Sequence, residues 1–515
     1  ELPLRLIVKL NKINLKMQLA NVCMVPVQDV LLRGEQIRCI SLLTYYCNSQ
    51  QHIIESYMKR AFNQHDSYTG ATVLEPIPGY YTDPVAVLDF KSLYPSIIIA
   101  FNLCYSTLVV DNKWPRGAEV KTFTWYDPKI KQQLTHTFIQ SKKGILPQVL
   151  QTLWKERTNV RKSMKGCDEE QISILDGQQL AIKVTMNSLY GFFGCQESIA
   201  MLACHPIAQT ITYQGRQLLL QTKAYMERKH CAKIVYGDTD SVFVIFPSPS
   251  ADTGRNMPAD FEMATRAADE CTQFLNTNLC YWKGVVELEM ENILQPFMIW
   301  TKKRYAAKKW SSPDPSKCKL YMKGIMCVRR DWCKLTKEHG KKALDMILME
   351  ESPPNASAFL LQTVQSLFDG QISMDMLTLS KTLNAAYKCE PPAHAHVAKF
   401  MNQKGYQFQP GDRVHYVFCN SKTRNVRQSE KAHHPDYVQQ TPDLQLDYNY
   451  YAERQLLKPF TEIMCLVDPE FDEKFRQILT RRGQGTTLIT DFFQGIRKPI
   501  DVESRTAYQS GTLIQ

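Results

Sequence analysis

The stretch from Lys233 to Ile245, KIVYGDTDSVFVI, constrains this chain more than any other. Two apolar, strand-forming runs flank an acidic tip, Gly237-Asp238-Thr239-Asp240-Ser241, a pattern that predicts a β-hairpin. A two-stranded ribbon holds its tip rigidly, so the two carboxylates are presented from a fixed base. Hard divalent cations such as Mg²⁺ take oxygen ligands and keep several waters, and an acidic tip suits them. Asp and Ser are also ordinary turn residues. The tip alone therefore does not separate a cation site from a polar turn.

A second segment shifts that balance. In Val85–Ser96, VAVLDFKSLYPS, the apolar run Val85-Ala86-Val87-Leu88 reads as a buried strand that delivers Asp89. The chain then turns out through Ser92-Leu93-Tyr94-Pro95. Carboxylates on two strands of one sheet can hold two metal ions roughly 3.5–4 Å apart, the arrangement that clamps attacking and leaving oxygens in phosphoryl transfer.

Between these segments, residues 145–194 read as two long helices joined by a polar turn at Lys165-Gly166-Cys167-Asp168. The first, Leu146–Met164, carries Arg157 and Arg161 at i, i+4. The second, Ile172–Leu189, carries Lys183 and Asn187 at the same spacing, with Tyr190 close behind. Residues four apart share a helix face. Cations facing an acid cluster suit a nucleoside triphosphate, Arg as a fork and Lys as a point charge. The bland reading is a solvated basic face, and the acidic segments tip the choice.

DFKSLYPS, KVTMNSLYG (183–191) and YGDTDS occur in this order and resemble the three polymerase motifs of B-family DNA polymerases. Lys302-Lys303-Arg304-Tyr305, KGIMCVRRD (323–331) and DYNYYAERQLLKP (447–459) also fit. In detail the chain is most similar to the delta-type branch and its large-DNA-virus relatives, over roughly residues 1–470. One short motif is weak evidence, whereas six in order are specific.

The resemblance implies an α+β, right-hand polymerase architecture with an antiparallel-sheet palm, helical-hairpin fingers and a mostly helical thumb. It divides the chain into N-terminal helices and a first palm segment (1–144), fingers (145–194), a second palm segment (195–310), a thumb (311–470) and a basic tail (471–515). It implies template-directed DNA synthesis from primer-template DNA and deoxynucleoside triphosphates, with two Mg²⁺ ions on Asp89 and Asp240 and Asp238 in support. Backbone amides of Ser92, Leu93 and Tyr94 would cradle phosphate. Arg157 and Lys183 would contact the triphosphate, with Arg161 a weaker candidate. Asn187 would position it, and Tyr190 would stack near the nascent base pair. The Tyr94 ring would exclude a ribose 2′-hydroxyl. Lys302, Lys303, Arg304, Tyr305, Lys323, Arg329 and Arg330 would grip the DNA backbone. Lys91 departs from the small residue that many relatives carry there.

Two rival readings are weaker. A catalytically inactive polymerase-fold scaffold of a replisome does not need Asp89, Asp240, Lys183 and Asn187. An RNA polymerase or primase is disfavoured by Tyr94.

Bulk properties agree. A net charge of +11 in 515 residues suits a polyanionic partner. Sixteen cysteines without a Cys-x-x-Cys pair read as reduced, largely buried thiols rather than a zinc module. No signal peptide or membrane-spanning apolar run is visible, so the expected setting is intracellular, in a nucleus or at a viral replication site, with no membrane partner. The start at Glu1 and the lack of an upstream exonuclease constellation read as a portion of a longer polymerase.

The remaining segments carry less. Residues 1–60 read as helical, with Leu6, Leu10, Ile13 and Met17 forming one apolar face. Residues 110–141 alternate like strands. Residues 196–230 read as a helix with Ile207, Ile211 and Leu218-Leu219-Leu220 in the core, and His205 as a core histidine. Glu287, Glu289 and Glu291 alternate with apolar residues along a strand; a solvated face is the preferred reading, and a peripheral metal ligand is the alternative. In the thumb segment, Tyr450, Tyr451 and Leu456 are expected to pack inward. Near the end, a Gly-rich break precedes Thr486–Phe493. There Ile489, Phe492 and Phe493 have the spacing of a one-turn plug, similar to the sliding-clamp-binding peptide of replication proteins except for Thr486 in place of Gln. A terminal helix docked on the thumb is the alternative.

Overall fold

The computed structural model describes residues 1–53, 68–111, 113–195, 202–247, 256–421 and 426–482. The chain forms two compact units that divide after Gly324.

The first unit opens with α1 (Leu2–Lys9), α2 (Lys12–Cys23), α3 (Val27–Leu32) and α4 (Glu35–Ser49). The expected continuous apolar face does not form. Asn11 takes a left-handed conformation (φ 49°) and breaks the helix, and Leu6, Leu10, Ile13 and Met17 are all exposed. The segment buries Leu19, Ala20 and Cys23 instead. Polar contacts seat it: Asn11 and Asn14 donate to Ser173, and Cys23 Sγ lies 3.3 Å from Thr185 Oγ1.

There follow β1 (Val73–Leu74), β2 (Gly79–Tyr81), β3 (Val85–Phe90), α5 (Leu93–Ala100), β4 (Val120–Asp127), β5 (Gln132–Ile139), α6 (Ile145–Ser163), α7 (Glu169–Phe193), α8 (His205–His230), β6 (Lys233–Asp238), β7 (Ser241–Ile245), α9 (Met257–Asn278), β8 (Leu288–Thr301), β9 (Arg304–Trp310) and β10 (Lys319–Lys323). Eight strands make one sheet in the order β1-β6-β7-β3-β8-β9-β10, with β2 also paired to β8. Its paired strands are antiparallel. β4 and β5 form a separate hairpin.

Alternation along central β3 decides where Asp89 points. Ala86, Leu88 and Phe90 join the large core that includes Ile207, Ile211 and Leu218 of α8 and Ala264 and Cys271 of α9. Val85 and Val87 belong to a second cluster with Val235, Phe243, Leu294 and Tyr305. Asp89 continues that second series, because successive strand residues face opposite ways. Truncating the fully buried Leu88 to Ala would cost about 2–5 kcal/mol.

α6 and α7 form the expected helical hairpin. Gly166 supplies the positive φ of its turn (85°), and Asp168 Oδ1 caps α7 by accepting from Gln171 N at 2.8 Å. In α8, Ile207, Ile211, Leu218 and Leu219 are buried, whereas Leu220 turns outward and is 43% exposed. His205 is buried, with Nε2 3.1 Å from the Cys195 carbonyl.

The second unit contains α10 (Lys334–Leu348), α11 (Pro353–Phe368), α12 (Met374–Leu377), β11 (Leu379–Thr382), α13 (Ala393–Gln403), β12 (Arg413–Phe418), β13 (Ala432–His433), α14 (Pro435–Gln439), α15 (Tyr448–Tyr450), a π-helical turn Tyr451–Leu457 continuing into α16 (Lys458–Met464), and α17 (Phe471–Arg482). Tyr451 and Leu456 are fully buried, and half-buried Tyr450 packs on Phe418 with centroids 4.0 Å apart. Two expected boundaries move. β10 is a strand of the main sheet, so the division falls after 324 rather than near 311. Residues 471–482 are a helix that buries Phe471 and Phe475, not the start of a tail. Ile489, Phe492 and Phe493 lie outside the described residues.

Candidate active site

The acidic tip is built from close backbone approaches. A Cβ on Gly237 would stand 2.7 Å from Leu74 Cδ1, so any larger residue here would require the Leu74 side chain on β1 to move. Thr239 adopts a positive φ of 60°, at a cost of about 1–3 kcal/mol. Its N–H donates to the Thr72 carbonyl at 3.1 Å. The Asp240 carbonyl accepts from Phe90 N at 2.8 Å, tying the tip to the end of β3 that carries Asp89.

The three aspartates are treated differently. Burial and the charges of Asp240, Glu291 and Glu289 push the Asp89 carboxyl up to about 7. Asp240 is also raised, chiefly by burial, with Asp238 adding to it. Asp238 is buried but ion-paired, with Lys303 Nζ at 3.1 Å and Lys323 Nζ at 3.9 Å. Asp89 and Asp240 thus form the pair whose charge the protein leaves largely uncompensated.

Two clefts meet at this pair. The first, about 360 Å³, is lined by Asp89, Ser92, Leu93, Tyr94, Lys183, Asn187 and Asp240, seven of the residues expected at the site. Ser92 takes a positive φ of 51° and starts α5, whose first-turn N–H groups have no partner within the helix. Lys183 and Asn187 are exposed on α7, while Ala181, Ile182, Thr185, Met186 and Leu189 anchor its other side. The Tyr94 ring packs on Tyr190 with centroids 4.4 Å apart, and the Tyr190 hydroxyl is 3.3 Å from that of Tyr68. Arg157 does not line the cleft. Its Nε donates to Gln179 Oε1 at 3.2 Å, one turn before Lys183, and Arg161 is exposed.

The second cleft, about 340 Å³, is lined by Asp89, Asp238, Asp240, Glu291, Lys303, Tyr305 and Lys323 among others. Asn292, Lys309 and Tyr321 also line it. Lys309 belongs to the basic stretch 301–309 expected to grip DNA phosphates, whereas Asn292 and Tyr321 carry no local signal and are brought here by strand pairing. Tyr305 is only 4% exposed, packed among Tyr236, Phe243 and Phe297, so it forms a wall rather than a free grip. Lys302 pairs with Glu75 at 2.5 Å. Arg304 opens β9 beside them. A Cβ on Gly324 would fall 2.1 Å from the Lys303 carbonyl, and its φ is 68°, so the close approach requires glycine. Arg329, paired with Asp331 at 2.8 Å, and exposed Arg330 belong to the second unit.

Lys91 has a use that local sequence did not reveal. Its Nζ lies 2.8 Å from Glu289 Oε1 and 3.1 Å from Glu287 Oε2. Glu291 faces the second cleft and lies 3.5 Å from Lys309 Nζ. The glutamates are therefore ion-paired rather than merely solvated.

The donor set fits a hard cation. Among the described residues no three His, Cys, Asp or Glu side chains converge as a closed metal cage. Asp89 and Asp240 offer carboxylate oxygens only, which suits Mg²⁺, an ion that keeps waters and shares substrate phosphates. Asn292 Oδ1, buried at the second cleft without a hydrogen-bond partner, is an acceptor for such a water.

Comparison with known proteins adds three findings. The sequence profile described as DNA polymerase family B matches residues 25–467. The chain is 35% identical to the DNA polymerase delta catalytic subunit of Candida albicans, over 93% of the chain and 45% of that protein. It is 34% identical to a DNA polymerase of Paramecium bursaria Chlorella virus NY2A, over 91% and 51% respectively. The chain thus spans about half the length of the relatives it matches. The solved family B DNA polymerase of the archaeon Pyrobaculum calidifontis superposes with a TM-score of 0.62 at 26% identity, covering 89% of this chain and 54% of the other.

Proposed function

The chain belongs to DNA polymerase family B, and from that premise we propose that it carries the site at which a primer 3′-hydroxyl is extended by deoxynucleotides along a DNA template. The observation that carries this reading is the uncompensated Asp89–Asp240 pair standing where the two clefts meet. Asp89 and Asp240 would hold two Mg²⁺ ions. Such ions, when bound, activate the hydroxyl and stabilise the leaving pyrophosphate.

The chain's own residues do the rest. The first cleft takes the triphosphate: Lys183 supplies a point charge, Asn187 a hydrogen bond, and the Leu93 and Tyr94 amides a cradle at a helix N-terminus. Arg157, held through its Nε by Gln179, keeps its terminal guanidinium nitrogens for the triphosphate. Tyr94, backed by Tyr190, closes the floor beneath the sugar and excludes a 2′-hydroxyl. The second cleft takes the primer end. Lys303 and Lys323 fix Asp238, and with it the hairpin tip, while Lys302 and Arg304 add to the cationic surface for DNA phosphates. Such contacts set position rather than sequence. The main sheet is the palm, α6 and α7 the fingers, and the second unit the thumb, where Arg329 and Arg330 extend the DNA contacts.

The setting is replication, in a nucleus or at a viral replication site. Residues 486–493 are proposed to bind a sliding clamp. A peptide of residues 481–500 should bind the clamp and lose binding with Phe492→Ala and Phe493→Ala together; equal binding by both peptides rejects the motif.

The test is primer extension on a primed single-stranded template with Mg²⁺ and four deoxynucleotides, beside an Asp240→Asn control. Extension by wild type alone supports the reading. DNA binding without extension by either protein favours an inactive scaffold.

A further inference from the structure

Asp89 has neighbours of its own charge. β3 and β8 pair with Asp89 opposite Glu289 and Phe90 opposite Leu288, and Lys91 N donates to the Glu287 carbonyl at 2.9 Å. Directly opposed residues of an antiparallel pair project to the same face. Asp89, Glu289, Lys91 and Glu287 therefore share one face, the one that carries the clefts. Lys91 sits between the catalytic strand and Ser92, and its ammonium bridges both glutamates, at 2.8 and 3.1 Å.

Ion pairs this exposed add little to stability; the lysine side chain is 30% exposed and the glutamates 48% and 49%. Their consequence is local. Without the ammonium, two carboxylates would stand uncompensated beside Asp89, and Glu289 would be free to turn toward it.

We propose that Lys91 is a positioning residue that holds Glu289 and Glu287 off the Asp89–Asp240 pair and offsets part of their charge, and so tempers the affinity of that pair for divalent cations. The inference rests on the metal-site reading of that pair. It makes Lys91 a determinant of cation affinity in this chain, where the turn between the acid strand and α5 has room for a long side chain.

The experiment is a Mn²⁺ titration of the DNA-free protein, reading free Mn²⁺ by electron paramagnetic resonance. Lys91→Ala should bind Mn²⁺ roughly three- to tenfold more tightly than wild type, the size expected for an added carboxylate charge several ångströms away in a hydrated site. Adding Glu289→Gln to that variant should remove most of the gain. The converse variant, Glu287→Gln with Glu289→Gln, leaves Lys91 unbalanced and should weaken binding by a comparable factor. Lys91→Ala binding no more tightly than wild type overturns the proposal, as does a gain that survives Glu289→Gln. If Lys91→Ala does not fold, the converse variant decides, and unchanged affinity there overturns it. Asp240→Asn separates the two claims: if it leaves Mn²⁺ binding intact, the metal-site reading fails. If it abolishes binding while Lys91→Ala matches wild type, only the role of Lys91 fails.

Discussion

Asp238 and Asp240 stand two residues apart on one turn and receive opposite treatment. Asp238 is buried against Lys303 and Lys323, which cancel its charge. Asp240 stands with Asp89, raised by burial and by like charges, at the meeting of two clefts. Glu287 and Glu289 repeat the first pattern with Lys91. An acid supplied with a lysine needs nothing further. An acid pair whose charge Lys323 offsets only in part is a standing electrostatic cost, and a bound cation relieves it. The contrast separates carboxylates that shape the site from those that serve it.

The largest effect that would sharpen this contrast is on chemistry. Asp89→Asn and Asp240→Asn should each lower single-turnover incorporation by about 10³-fold or more, measured by rapid-quench primer extension. Lys183→Ala, which removes a phosphate contact but leaves the acid pair intact, should cost about 10²-fold. A loss below tenfold would move the triphosphate out of the first cleft. Tyr94→Ala should shift discrimination rather than rate, raising ribonucleotide use relative to deoxynucleotide by about 10- to 200-fold. An unchanged ratio would remove the gate from Tyr94.

The smallest effect is on stability, and its sign follows from Asp89. Its carboxyl is raised to about 7 in the folded chain, against about 3.9 for an unperturbed aspartate. A raised acid costs the fold nothing below the unfolded value. The cost grows as pH climbs from about 4 to 7 and is full above that. Asp89→Asn should therefore raise the melting temperature by a few degrees at pH 8 without divalent cations, and by much less at pH 5. Added Mg²⁺ should narrow the gap at pH 8 by stabilising wild type. Equal melting at pH 8 in chelator would mean that the pair is not strained.

Much of the site is legible in the sequence because it is local. The hairpin tip, the Asp89 strand end, the Ser92–Tyr94 turn and the Lys183–Asn187 spacing are each short patterns, and the structure gathers them into one cleft. What escapes is set by pairing across distance. Lys91 and Glu289 are 198 residues apart and meet only through β3–β8 register. Asn292 and Tyr321 reach the second cleft the same way. The resemblance gives Arg157 to the triphosphate, and the Gln179 partner it has on the neighbouring helix is one that its spacing does not announce. The N-terminal helices misled for a different reason. Their apolar period is real, but Asn11 breaks it, and the segment is seated instead by Leu19 and Ala20 packed with Ala181 and by polar bonds to Ser173.

The most direct test is Asp238→Asn beside Asp240→Asn in one single-turnover incorporation assay with saturating Mg²⁺. If Asp238 only holds the tip in place, its variant should stay within about tenfold of wild type while Asp240→Asn falls by about 10³-fold or more. A loss in Asp238→Asn as deep as that in Asp240→Asn would contradict the account, because it would put the lysine-paired acid at the chemistry.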